Sequence, residues 1–245
     1  MHEIDAVTVF ADDLYDTLLI DTGAVGLVVE PRGAAPVGPD NLVARALASL
    51  NVAARVELHK AIPSEAGLGG GSADAAAVLR SLGGEVGPDA LRRIATSLGA
   101  DVAVCLQTHP TRMTGVGDVL EALSPTQPLH LVIATPTFGC STPAVYKAWD
   151  RLHGPTSDRA IAAPTGWAGC ATEFRNDLEP AAILVEPRLV AFREALALIT
   201  EGEPMLCGSG SSYCVWFETR AAADAAASEA ARVLDVRVAC AVTSR

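Results

Sequence analysis

The sequence predicts an α+β protein. Short β-prone runs crowd its beginning, a glycine loop opens directly into an alanine-rich helix, and the later helices and strands follow no regular strand–helix–strand period. With 245 residues the chain suits one large domain or two small ones, each with room for a core. Residues 7–10, 17–20 and 25–29 read as strands broken by Asp and Gly. Asp40 or Asn41 then caps a helix whose Leu42, Ala46, Leu47 and Leu50 share a face. Residues 56–59 alternate as a strand leading into the glycine loop. A helix over 88–98 starts at Pro88 and stops at Gly99. Residues 113–116 form another strand.

The Pro-rich stretch 125–128 is the expected domain boundary, giving domains over 1–126 and 127–245. Beyond it, 129–134 reads as a buried strand and 142–152 as a helix with Pro143 near its start. Residues 153–169, rich in Pro, Gly and Ala, read as a loop. A helix over 188–199, strands near 214–217 and 236–240, and an alanine-rich helix over 221–234 complete the chain. No internal repeat is found.

Composition limits what the protein does. Half the residues are hydrophobic but only 4% are aromatic, so Ala, Val and Leu must fill the core. The net charge of −11 argues against non-specific nucleic-acid binding. It leaves small nucleotides open, because helix N-termini and local cations outweigh distant charge. The six cysteines lie far apart, with no Cys-x-x-Cys pair and no His at metal-ligand spacing, so no protein metal site is expected; Cys105, Cys207, Cys214 and Cys240, in apolar runs, read as small buried hydrophobes. No basic leader and no bilayer-length apolar run is present, which points to the cytoplasm with no membrane partner.

The chemistry concentrates in one stretch, Pro63-Ser64-Glu65-Ala66-Gly67-Leu68-Gly69-Gly70-Gly71-Ser72-Ala73-Asp74. Consecutive glycines let several main-chain N–H groups turn toward one anion. Ser72 is a good N-cap for the helix that follows, and the positive end of that helix points back at the loop. This is a phosphate cradle over 67–72. No Gly-Lys-Ser/Thr follows the glycines, so it is not a Walker A loop, and the spacing is not that of a dinucleotide fold. A flexible linker would not run into an amphipathic helix carrying Leu79 and Leu82 on one face.

This stretch resembles the central motif of the GHMP kinases, the family of galactokinase, homoserine kinase and mevalonate kinase. The triple-glycine form is most similar to the branch acting on a cytidine diphosphate sugar-alcohol of the non-mevalonate isoprenoid pathway. Further matches follow in order: His2-Glu3, Asn41-Leu42, Leu98-Gly99-Ala100-Asp101-Val102, Gly115-Val116-Gly117, Ser141-Thr142-Pro143 with Tyr146, Asn176-Asp177-Leu178-Glu179 and Gly208-Ser209-Gly210-Ser211. The resemblance implies a two-domain fold, the N-terminal domain like ribosomal protein S5 domain 2 and the C-terminal one a ferredoxin-like sandwich. It also implies a cytoplasmic ATP- and Mg²⁺-dependent kinase of a small molecule, working as a monomer or homodimer.

The residue roles carried by the resemblance are specific. Pro63, Ala66, Gly67, Leu68, Gly69, Gly70, Gly71, Ser72 and Ala73 hold ATP, with Ser72 either a cap or a donor to phosphate or Mg²⁺. Asp101 orients the acceptor hydroxyl and takes its proton. An isolated Asp after a helix stop would otherwise read as a turn carboxylate. Ala103 and Val104 replace the family's Pro and aromatic just beyond it. His2, Thr142, Pro143 and Tyr146 bind the cytidine end; Thr142 and Tyr146 lie one helical turn apart, so hydroxyl and ring can meet one base. Family members open with an Ala-Lys-x-Asn-Leu strand, whereas this chain starts Met1-His2-Glu3 and has only Lys60 and Lys147. It therefore reads as an N-terminally short version. Another GHMP small-molecule kinase and a catalytically impaired nucleotide-binding member are the alternatives.

Overall fold

Two units make up the computed structural model, which describes residues 3–123, 128–152, 154 and 174–242. Among the described residues, the first unit holds 3–10, 15–64 and 69–123; the second holds 11–14, 65–68 and everything from 128 onward. The mixed helix and strand content is that of an α+β fold. His2, residues 125–127 of the expected boundary, and all of the expected 153–169 loop except Gly154 lie outside the described residues.

The first unit carries β1 (Ile4–Thr8), β2 (Thr17–Asp21), β3 (Gly26–Glu30), α1 (Leu42–Leu50), β4 (Arg55–His59), α2 (Gly70–Leu82), α3 (Pro88–Leu98), α4 (Ala100–Cys105), β5 (Thr111–Gly115) and β6 (Val119–Ala122). One sheet has the order β2-β4-β3 and another β1-β5-β6. In the former, β4 runs antiparallel to β2 and parallel to β3. A parallel neighbour requires a crossover, and α1 supplies it. Of the two cap candidates, Asn41 does the work: its side chain accepts from the Val43 N–H at 2.8 Å and donates to the Pro36 carbonyl at 2.6 Å. Val56 and Leu58 of β4, Val43 of α1, Val78 and Leu79 of α2 and Val102 of α4 are buried together.

The second unit carries β7 (His130–Pro136), α5 (Thr142–Arg151), α6 (Glu179–Val185), α7 (Arg188–Thr200), β8 (Met205–Leu206), β9 (Tyr213–Phe217), α8 (Arg220–Val233) and β10 (Val236–Val242). Its sheet, ordered β10-β7-β9-β8, is antiparallel throughout. Leu131 through Pro136 are buried, and the nearly unbroken apolar run of β7 is the sequence sign of a strand covered on both faces. Tyr213 is fully buried, and its hydroxyl donates to Glu179 at 2.8 Å. Arg193 in turn pairs with Glu179 at 3.3 Å. That shared carboxylate satisfies the one polar atom the tyrosine takes into the core.

Several expectations need correction. The helix after the glycine loop begins at Gly70, with Gly69 as its N-cap in the left-handed conformation (φ 67°). Ser72 is therefore the third residue of the helix and not its cap. Asp101, just past Gly99, lies in the first turn of the short helix α4, an element the sequence pattern does not show. The first strand is Ile4–Thr8, shifted toward the N-terminus of the 7–10 run. β6, α6 and β8 were not anticipated. Each is short, and α6 is bracketed by Pro180 and Pro187, which read as breakers in sequence although Pro is well tolerated in a first turn.

Candidate functional site

The glycine stretch divides between the units, and each part has its own physical logic. Residues 65–68 belong to the second unit, where the turn between β8 and β9 grips their backbone. The Ser211 and Ser212 N–H groups donate to the Glu65 and Ala66 carbonyls at 3.2 and 3.0 Å, and Cys140 donates to Glu65 at 3.1 Å. Gly67 has φ 73°, and a Cβ there would collide with the Cys207 carbonyl and stand 2.8 Å from the Gly210 nitrogen. Only glycine satisfies both constraints. The turn is itself braced: Asn176 donates to the carbonyls of Leu206 at 2.8 Å and Gly208 at 2.6 Å.

From Gly69 the stretch belongs to the first unit. Gly69 turns the chain, and α2 opens at Gly70. The opening N–H groups of a helix have no intrahelical acceptor, so those of Gly70, Gly71 and Ser72 are offered outward where the helix dipole is positive. Ser72 is not the cap of α2, which leaves its hydroxyl without a capping bond. Behind this end, Ala75, Ala76, Val78 and Leu79 fix the helix in the core.

Asp101 stands on α4, which packs against α2 and α3. Arg80 of α2 donates to the Cys105 carbonyl at the end of α4, 2.5 Å away, tying the two helices. Asp101 itself reaches solvent, while the protein crowded around it raises its carboxyl above the ordinary range by desolvation. Burial is also the main cause that pushes the Cys105 thiol up to about 12, with the Asp101 charge adding to it. Ala103 and Val104 are buried, so their departure from the family pattern is a matter of packing. The backbone of Gly117, in the turn between β5 and β6, lies against Ala100, beside Asp101.

The predicted acceptor residues sit on α5 of the second unit. Ser141 is the N-cap position and Pro143 lies in the first turn. Val145 and Ala148 face the core; Thr142 and Pro143 are exposed, and Tyr146, one turn from Thr142, is half-buried. The Thr142 hydroxyl bonds the Ser209 hydroxyl at 2.7 Å. Thr142 thus joins the turn that also holds Ala66 and Gly67, so within the second unit two predicted groups of residues come together. His2 lies outside the described residues.

Sequence reasoning missed a buried charge cluster in the first unit. The Lys60 ammonium bonds Asp16 and, at 2.9 Å, Asp74, and all three side chains are at most 4% exposed. Desolvation raises the Asp74 carboxyl to about 6 despite its contact with Lys60. Asp74 has a legible signal, an acid at the start of an otherwise apolar helix face. Asp16 has none, being far away in the chain. Among the described residues no cluster of three or more His, Cys, Asp or Glu suited to a metal ion is found. Cys105, Cys140, Cys207, Cys214 and Cys240 are free and buried or half-buried, and Cys170 lies outside the described residues.

Comparisons with known proteins agree with one another. Residues 41–109 match the family model described as GHMP kinases N terminal domain. The 4-diphosphocytidyl-2-C-methyl-D-erythritol kinase of Dinoroseobacter shibae is 38% identical, covering 92% of this chain and 81% of its own length. That of Paracoccus denitrificans is 39% identical over 92% of this chain and 82% of its own length. A crystal structure of 4-(cytidine 5'-diphospho)-2C-methyl-D-erythritol kinase superposes with a TM-score of 0.78 at 29% identity, covering 100% of this chain and 91% of that one.

Proposed function

The chain belongs to the GHMP kinase family, and we propose that it uses ATP to phosphorylate the 2-hydroxyl of 4-diphosphocytidyl-2-C-methyl-D-erythritol. The observation that carries this reading is identity of 38–39% across 92% of the chain to kinases of that one name. In the reaction, the acceptor oxygen forms a bond to the γ-phosphorus, the bond from that phosphorus to the β-phosphate oxygen breaks, and ADP leaves.

Each described site residue has a role that its setting supports. The N–H groups at the start of α2, together with the backbone of 66–69, hold the ATP phosphates, which concentrates positive potential where charge is largest. Asp101 accepts a hydrogen bond from the acceptor hydroxyl and takes its proton as the new bond forms. An elevated carboxyl helps here, because a base closer to the working pH is a better proton acceptor. Thr142, Pro143 and Tyr146, with His2, bind the cytidine end, and Ser209 holds the Thr142 hydroxyl in place. Magnesium, when bound, screens the phosphate charge. The ion would be carried mainly by the nucleotide phosphates and water, with the Ser72 hydroxyl as a protein contact. We place the reaction in the cytoplasm. Among the described residues no helix is long and apolar enough to cross a membrane.

The acceptor assignment is tested through Tyr146. Replacing it with Ala should raise KM for the cytidine substrate by about 10- to 100-fold, the usual worth of one base–aromatic stack. KM for ATP should move by less than about twofold. Equal loss for both ligands would make Tyr146 a packing residue and remove the local support for cytidine.

A further inference from the structure

Beneath the first turn of α2 the sequence places charge where an all-apolar core would have served. Lys60 follows β4 directly, and its ammonium is shared between Asp16 and Asp74. The second oxygen of Asp16 accepts the Ala61 and Ile62 N–H groups at 2.6 and 2.9 Å. Those two residues are where the chain leaves for the glycine loop. Asp74 is the fifth residue of α2, just past its first turn, where the chain comes back. Gly70 lies directly over the cluster: a Cβ there would stand 2.8 Å from the Ile62 Cγ2 and 3.2 Å from the Lys60 nitrogen. All of these residues belong to the first unit.

Burying three charges is a poor way to gain stability, since well-packed apolar side chains of similar volume commonly do as well or better. Their directional bonds do something apolar packing does not, which is to fix two segments of backbone in one register. We propose that Asp16, Lys60 and Asp74 are positioning residues for ATP: they clamp the departure and return of the glycine loop, so that the N–H groups of Gly70 to Ser72 stand ready for the phosphates. The inference rests on the reading of that loop as the ATP site. Asp16 locks the entry through two main-chain bonds, Asp74 locks the exit through the helix, and Lys60 joins them. Net charge under the cradle is not the working quantity, because two carboxylates facing one ammonium would if anything repel a phosphate. Geometry is.

The test uses three variants of the whole chain, with KM for ATP, KM for the cytidine substrate, kcat and Tm measured for each. Asp74→Asn keeps an acceptor for Lys60 and should leave KM for ATP within about threefold. Lys60→Met and the double variant Lys60→Met, Asp74→Leu break the clamp, and should raise KM for ATP at least about tenfold while the acceptor KM stays within about twofold. The double variant removes the ammonium together with one of its two carboxylates, and Asp16 keeps the Ala61 and Ile62 N–H groups as donors. A folded double variant with unchanged ATP KM would overturn the proposal. So would an equal rise in both KM values, or failure of the clamp-breaking variants to fold, since each assigns the cluster to stability alone. Calorimetry of the unaltered protein with ATP separates the two levels: absence of binding there would refute the ATP site itself.

Discussion

Gly67 shows how much one hydrogen atom in place of a side chain decides. Its left-handed backbone and its contact with the 207–210 turn are independent reasons for glycine. Gly67→Ala should therefore cost stability and nucleotide binding together, unlike a change at Gly71, where a Cβ would meet only Leu42 at 4.0 Å. We expect Gly67→Ala to lower Tm by several degrees, as a loss of about 1–3 kcal/mol implies, and to weaken ATP binding at least about tenfold in calorimetry. Gly71→Ala should change Tm little. Matching behaviour of the two variants would show that the strain at Gly67 is not what the site depends on. The Gly70 position follows a third logic: its backbone is helical, and Ile62 and Lys60 leave no room for a β-carbon.

At the scale of elements, most long segments were legible because pattern and punctuation agreed. α3 runs from Pro88 to the stop at Gly99, and α7, α8 and β7 fall within a residue or two of their expected ends. What was not legible has physical reasons. The glycines that mark a loop also supply the cap and first turn of α2, so composition hides where the helix begins. α4 has only 6 residues, too few to show a helical period. The cluster of Asp16, Lys60 and Asp74 joins residues far apart in the chain, and no local rule reports such a partnership. The glycine loop and Asp101 were visible as motifs and by their order in the chain. The braces behind them were not, and Asn176 is the clearest example. Its side chain ties Leu206 and Gly208 and accepts from the Leu178 N–H at 2.9 Å. Asn176→Ala should lower stability by about 1–3 kcal/mol, read as a drop in Tm, because it strands carbonyls that the side chain had satisfied. An unchanged Tm would mean that solvent replaces those bonds without cost.

Over the whole molecule, each unit has its own buried cluster, one around Val43, Val56 and Leu79 and another around Leu189, Leu196 and Tyr213. The net charge of −11 does not oppose anionic ligands at the site. Helix termini and directed N–H groups act over a few ångströms, whereas the distant acids are screened by salt. We propose that this chain moves a phosphoryl group from ATP to the cytidine acceptor with Asp101 as the base. The measurement is the initial rate of ADP formation with ATP, magnesium and 4-diphosphocytidyl-2-C-methyl-D-erythritol, across pH, for the protein and for Asp101→Asn. ADP should form only when the acceptor is present and match the phosphorylated product mole for mole. The rate should rise with pH through an acidic limb lying above the ordinary aspartate range. Asp101→Asn should lower kcat by about 10²- to 10⁴-fold and abolish that limb, with ATP affinity and Tm unchanged. An equal rate from Asp101→Asn, or ADP released equally well without the acceptor, would contradict the account.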